Sequence, residues 1–366
     1  MQAITNIDRR HFISGALATA AALGVAGAAG SALASEKADT ASAESSAAAA
    51  PAAATVAPAG AGTVELHRGY AAVHGEKCFT QVVVAVSDGT IIGASVDDYQ
   101  FMDNSAGTIL AVPNSDSGFG ENYADATTQL ASKTDNHEAY SAHMAEAAGA
   151  TLDWLASMEA IEAFAAGQTP DELLAVAEQG INGEIGIDTV SGCTLEDTFG
   201  YLSAIATVAA DDTLVSSGTF DAAGGDMTLS RANIGAHGTK GFTDVVTLAQ
   251  GGTIVAASID DFQFMDATTE GLTPVPNSDA SFGENYADGV ALCSKSQNSE
   301  AYSAAMASKA GATQSWLTSI EAIEAGVVGV PVVNTPGLDV DTISGSTLTS
   351  TTSYAAACGI TAALGM

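Results

Sequence analysis

Stretches in which apolar and polar residues alternate come in adjoining pairs along this chain. Gln81–Val86 and Thr90–Ser95 flank Asp88-Gly89, and Val245–Ala249 and Thr253–Ser258 flank Gly251-Gly252. Alternation with period two predicts strands, and a two-residue turn of Asp and Gly predicts an antiparallel hairpin. Downstream the period changes. Glu138–Ala148 and Leu152–Ala166 are rich in Ala, Leu, Met and Glu, with apolar residues spaced as on a helix face. Closing helices are expected over about Leu195–Ala209 and about Leu348–Leu364. Hairpins followed by helices make an α+β fold, each domain an antiparallel hairpin sheet packed with helices.

The pattern occurs twice because the sequence does. Asp97-Asp98-Tyr99-Gln100-Phe101-Met102-Asp103 recurs as Asp260-Asp261-Phe262-Gln263-Phe264-Met265-Asp266. Val112-Pro113-Asn114-Ser115-Asp116 recurs as Val275-Pro276-Asn277-Ser278-Asp279, and Phe119-Gly120-Glu121-Asn122-Tyr123 as Phe282-Gly283-Glu284-Asn285-Tyr286. All three pairs share one offset of nearly half the chain, which implies two tandem domains, 63–210 and 214–366, rather than a solenoid. The first copy carries an extra stretch near Gln168–Gly183.

The residues before the first domain read differently. Arg9-Arg10-His11-Phe12-Ile13 precedes an apolar run from Gly15 to about Gly30 and a small-residue cleavage pattern at Ala32-Leu33-Ala34. That order is expected of a twin-arginine export signal over residues 1–34, with an uncleaved membrane anchor as the alternative. Residues 35–62 are rich in Ala, Ser, Pro and Thr and lack apolar periodicity, as a disordered spacer would. An exported product, secreted or held at the cell envelope, is the expected location.

Ten Lys and Arg face 43 Asp and Glu, a net charge of −33. Such an acidic surface excludes nucleic acid as a main partner and favours cationic ones. Cys78, Cys193, Cys293 and Cys358 form no CxxC and do not repeat between the copies, so a repeated disulfide or metal site is not expected, though one disulfide stays open. The chain has neither a GxGxxG fingerprint nor a heme-binding CxxCH.

One heptapeptide precedes each closing helix. It reads Asp188-Thr189-Val190-Ser191-Gly192-Cys193-Thr194 in the first copy and Asp341-Thr342-Ile343-Ser344-Gly345-Ser346-Thr347 in the second. This resembles the flavinylation signature D-x-x-[ST]-G-A-[ST] of the FMN-binding domain family, which includes flavin subunits of sodium-pumping and related respiratory complexes. The resemblance implies that a flavin transferase moves FMN from FAD onto the last hydroxyl as a phosphoester. By position the attachment residues are Thr194 and Thr347, allowing up to two covalent FMN per chain. Asp188 and Asp341 take the leading acid, and Ser191, Gly192, Ser344 and Gly345 the middle. Cys193 and Ser346 depart from the family's alanine, but both are small and are expected to leave room for the isoalloxazine ring. A glycine lets a second protein approach the backbone, and a hydroxyl at a helix N-terminus suits a phosphate. Read without the resemblance, Ser-Gly-x-Thr before a helix is an ordinary turn and N-cap, with Asp197 completing a capping box to Thr194. Gly149-Ala150-Thr151 and Gly311-Ala312-Thr313 match the tripeptide but lack the upstream acid, and read as helix junctions.

Other repeated residues have two readings each. Tyr99/Phe262, Phe101/Phe264 and Met102/Met265 would wall a flavin or fill a core. Pro113-Asn114 and Pro276-Asn277 would shape a loop over the ring or form plain turns. Arg68/Arg231, Lys77/Lys240 and Lys133/Lys295 would sit near FMN phosphate or pair with acids. His74-Gly75 and His237-Gly238 read as polar turns or a proton relay, and the Asp97-Asp98 and Asp260-Asp261 pairs are weak calcium candidates. The expected function is an exported flavoprotein carrying electrons between a membrane reductase and an extracytoplasmic acceptor, a redox carrier rather than a complete oxidoreductase. The rival readings are a non-redox module for a small ligand or free FMN, and a surface interaction protein without cofactor.

Overall fold

A computed structural model describes residues 54–56, 61–149 and 151–366. The twin-arginine segment lies outside the described residues. The fold is α+β, with two curled antiparallel sheets and helices against each. The strands are β1 (Ala54–Val56), β2 (Gly62–Ala71), β3 (Cys78–Ser87), β4 (Thr90–Asp103), β5 (Thr128–Ser132), β6 (Val215–Phe220), β7 (Met227–Ile234), β8 (Gly241–Gln250), β9 (Thr253–Asp266) and β10 (Val290–Ser294). The first copy's helices are α1 (His137–Ala148), α2 (Trp154–Ala165), α3 (Pro170–Ile181) and α4 (Thr198–Ala209). Those of the second are α5 (Ser299–Ala310), α6 (Trp316–Val327) and α7 (Thr351–Ala363). No helix among the described residues is long and apolar enough to cross a membrane.

The expected hairpins form where the turn chemistry put them. Asp88 and Gly89 both take positive φ, as do Gly251 and Gly252, the geometry whose twist matches two paired strands. β4 and β9 run further than the alternation predicts, to Asp103 and Asp266. Both hairpins slip register at the same place, between Ala85 and Val86 and between Leu248 and Ala249. A bulge there bends the sheet.

Strands β3 and β8 are buried on both faces. Val82, Val84 and Val86 pack against Trp154, Met158, Ile161, Leu202 and Ile205 of the helices. Val83 and Ala85 point the other way, onto Leu229, Val246 and Leu248 of the second copy. The molecule is therefore four layers deep, with helices outside and the two sheets face to face between them. Covered on both faces, these strands do not keep the alternation expected of them: Val82–Val86 is an unbroken apolar run.

The first sheet has the order β5-β4-β3-β2-β6 and the second β1-β7-β8-β9-β10. Each copy thus gives its leading strand to the other's sheet. Val215–Phe220 lies along β2, and Ala54–Val56 lies along β7. A cut between 210 and 214 separates chain segments but not sheets. The spacer expected over 35–62 contains a strand at Ala54–Val56 and reaches the start of β2 at Gly62.

The extra stretch of the first copy is α3, begun by a capping box between Thr169 and Glu172. Its place in the second copy is a 3-10 stretch, Val332–Gly337. Both lie on the closing helix at a glycine contact. A Cβ at Gly180 would meet the Phe199 ring at 2.1 Å, and one at Gly359 would meet Thr335 Oγ1 at 1.8 Å.

Candidate functional site

Each heptapeptide forms a surface loop ahead of its closing helix. Val190 and Ile343 are the anchors, 1% and 2% exposed in the two helical cores. The chain then turns at Gly192, with φ of 91°, and at Gly345, with φ of 101°, values L side chains rarely adopt. Thr194 and Thr347 are exposed, as are Asp188, Ser191, Asp341 and Ser344. The Gly345 carbonyl accepts a hydrogen bond from Gln314 in the link between α5 and α6, so that link abuts the second loop.

Two expectations are corrected here. The closing helices begin at Thr198 and Thr351, four residues beyond the candidate attachment residues. The hydroxyl at the helix start belongs to Thr198 or Thr351, donating at 2.6 Å to the carbonyl of Leu195 or Leu348. Asp197 makes no cap bond, so Thr194 forms no capping box and gains little from the helix dipole, which fades within a turn. Cys193 and Ser346 turn inward, away from the exposed threonines beside them. They are 6% and 5% exposed, tucked beneath the loop, with Cys193 Sγ 3.0 Å from Thr198 Oγ1 and Ser346 Oγ 2.7 Å from Thr351 Oγ1. A small side chain with a polar tip suits that inward position.

Beside the first loop His74 Nδ1 lies 2.6 Å from Asp197 Oδ2, and Tyr140 OH is 3.3 Å from His74 Nε2. In the second copy His237 Nδ1 lies 2.8 Å from Ser350 Oγ, and its ring stacks on Tyr354. Sequence reasoning had the histidines as a repeated pair but missed these partners, of which Tyr140 comes from α1 and Asp197, Ser350 and Tyr354 from the closing helices and their starts more than a hundred residues on.

Beneath each histidine lies a buried lysine site. Lys133 Nζ donates at 2.9 Å to Asp98, which also accepts from Thr80 at 2.6 Å and Tyr201 at 2.7 Å. Lys295 donates at 3.1 Å to Asp261, which accepts from Thr243 and Tyr354. Burial alone would raise the Asp98 carboxyl, but Lys133 and the two hydroxyls hold it below its ordinary value; Lys295 and its neighbours do the same for Asp261. Each ammonium also sits 4.5 Å from an aromatic ring, Tyr140 or Tyr302.

The facing sides of the two sheets carry the arginines, Arg68 on β2 and Arg231 on β7. Arg68 binds Asp244 at 2.6 Å and Ser258 Oγ at 2.8 Å, both from the second copy. Arg231 binds the same Asp244 at 2.5 Å and Asp97 of the first copy at 2.9 Å. Asp260 accepts from Tyr70 across the interface and from Ser294 and Ser296 of its own copy. So Arg68, Arg231, Lys133 and Lys295 are pairing residues of the interior, not surface cations awaiting a phosphate. The aspartate pairs are engaged by protein donors, not arranged for calcium.

The aromatic pairs are core. Phe79 stacks on Tyr99 at 4.9 Å and Phe242 on Phe262 at 5.0 Å, and all four meet where the sheets face each other. Phe101 and Phe264 extend the same cluster. Asn114 and Asn277 are more than turns. Both take positive φ, and each amide reaches into the opposite copy: Asn114 to the carbonyls of Gly238 and Gly241, Asn277 to those of Gly75 and Cys78. Gly149 and Gly311 end α1 and α5 as left-handed caps, the helix-junction reading. All four cysteines are free and buried.

Comparison with family models, with curated proteins and with solved structures returns no match to this chain.

Proposed function

We propose that the chain is an exported electron carrier holding FMN on Thr194 and Thr347. The observation that supports this reading most directly is the matched pair of exposed threonine hydroxyls, each two residues past a positive-φ glycine in a loop anchored by one buried residue. A transferase needs such a site: an accessible hydroxyl on a backbone it can approach closely. There the threonine oxygen would replace AMP at the FMN phosphorus, its proton passing to the transferase. The cofactor, once bound, supplies the redox chemistry. The protein's part is to present the hydroxyl, fix the loop through Val190 or Ile343, and place His74 or His237 beside it. Covalent attachment suits an extracytoplasmic carrier, where a dissociated FMN would be lost. The partners would be the flavin transferase, a membrane reductase and an extracytoplasmic acceptor.

Coexpression with a flavin transferase, denaturation and in-gel fluorescence tests the reading, with intact mass counting the flavins. Thr194→Ala and Thr347→Ala should each remove one FMN. Flavin surviving in the double variant, or bare polypeptide from the native sequence, overturns it.

A further inference from the structure

Resting on the reading that Thr194 and Thr347 carry flavin, we propose that the two sites are electrostatically unequal, so that the flavin of the first copy is harder to reduce than that of the second.

The frame around the two loops is nearly the same. Lys133/Lys295, Asp98/Asp261, Thr80/Thr243, Tyr201/Tyr354 and Trp154/Trp316 stand in matching places. The residues that follow the attachment threonine do not match in charge. Thr194-Leu195-Glu196-Asp197 becomes Thr347-Leu348-Thr349-Ser350. Glu196 is exposed, and Asp197 faces His74 where Ser350 faces His237. Upstream the charges balance, Glu184 and Asp188 against Asp339 and Asp341. The first attachment threonine is thus followed by two carboxylates where the second has two hydroxyls.

Two-electron reduction of the ring with uptake of one proton leaves a negative charge on it. Carboxylates nearby oppose that charge, with an effect that salt screens at exposed positions. The first flavin should therefore be the harder to reduce.

The experiment is a spectroelectrochemical titration of the full chain, with dithionite as reductant and redox mediators. The Thr347→Ala chain, carrying flavin on Thr194 only, should show a lower midpoint than the Thr194→Ala chain. Glu196→Thr with Asp197→Ser should raise the first site's midpoint, and Thr349→Glu with Ser350→Asp should lower the second's. Added salt should narrow the gap. Equal midpoints, the reverse order, or swaps that move neither value would overturn the proposal while leaving attachment intact. Intact mass showing no flavin on either chain would instead sink attachment, and the inequality of the sites with it.

Discussion

Asp244 and Gln81 hold the same place in the two copies, yet the Asp244 carboxylate binds an arginine from each copy and the Gln81 amide has no partner among the described residues. Asp244 Oδ1 takes Arg68 at 2.6 Å and Oδ2 takes Arg231 at 2.5 Å. Gln81 is fully buried with both amide atoms unpaired among the described residues. A carboxylate at both positions would add a further negative charge beside Asp97 and Asp260, whose carboxyls burial already pushes up. Of these two matched positions, only the acid at 244 ties the copies together, by taking an arginine from each.

That asymmetry predicts opposite outcomes for two near-isosteric changes. Asp244→Asn leaves two buried guanidinium groups short of charge and should cost about 3–5 kcal/mol. Gln81→Met removes an unpaired amide and should gain about 1 kcal/mol. Urea unfolding followed by fluorescence measures both, and equal effects of the two variants would discard this account of the interface.

A second prediction concerns pH. Glu324 lies against Ile259 N, accepting at 2.7 Å, and burial raises its carboxyl from 4.5 to about 8. Below pH 4.5 folded and unfolded chains both hold the proton. Between 4.5 and about 8 the folded chain keeps a proton that the unfolded chain has lost, so stability falls as pH rises. The slope is at most about 1.4 kcal/mol per pH unit for this group. Glu324→Gln keeps the bond to Ile259 and removes the titration, so its melting temperature should decline less across that interval. Parallel curves for the two proteins would refute the assignment.

The hairpins were legible because Asp88-Gly89 and Gly251-Gly252 state their turn locally, and the helices because their period runs over several turns. What the sequence could not show is pairing over long separations. Nothing near Asn114 tells that its amide closes on Gly241, and nothing near Arg68 marks Asp244 as its partner. The motif loops fell between these cases. Their existence was legible, but the helix start was misplaced because Thr194 and Thr198 both resemble a cap residue. Only packing decides that Cys193 turns inward and Thr194 outward.

Strand exchange carries a third prediction. Ala54, Thr55 and Val56 pair with Leu229, Thr228 and Met227. Removing residues 1–60 should bare the edge of β7 and raise amide hydrogen exchange across Met227–Leu229. Exchange along β2 should not change, since its neighbour β6 remains. A peptide-resolved exchange experiment reads both strands at once, and undiminished protection of β7 would show that β1 contributes nothing there.

The last prediction separates loop shape from the hydroxyl itself. Gly192 and Gly345 turn the loops at φ of 91° and 101°. A Cβ at Gly345 would come within 3.2 Å of Ala322, and one at Gly192 within 3.4 Å of Ala160. Backbone strain of about 1–3 kcal/mol would follow in either loop, relieved by shifting the segment that presents the threonine. The second loop must shift further, because its contact is the closer, and that shift also disturbs the hydrogen bond from Gln314 to the Gly345 carbonyl. Gly345→Ala should therefore reduce flavin loading of Thr347 more than Gly192→Ala reduces that of Thr194, with the fold retained in both. Intact mass of each variant, made on the chain with the other threonine replaced by alanine, gives the loaded fraction. Full loading despite both substitutions would mean that the transferase reads the hydroxyl without the glycine turn.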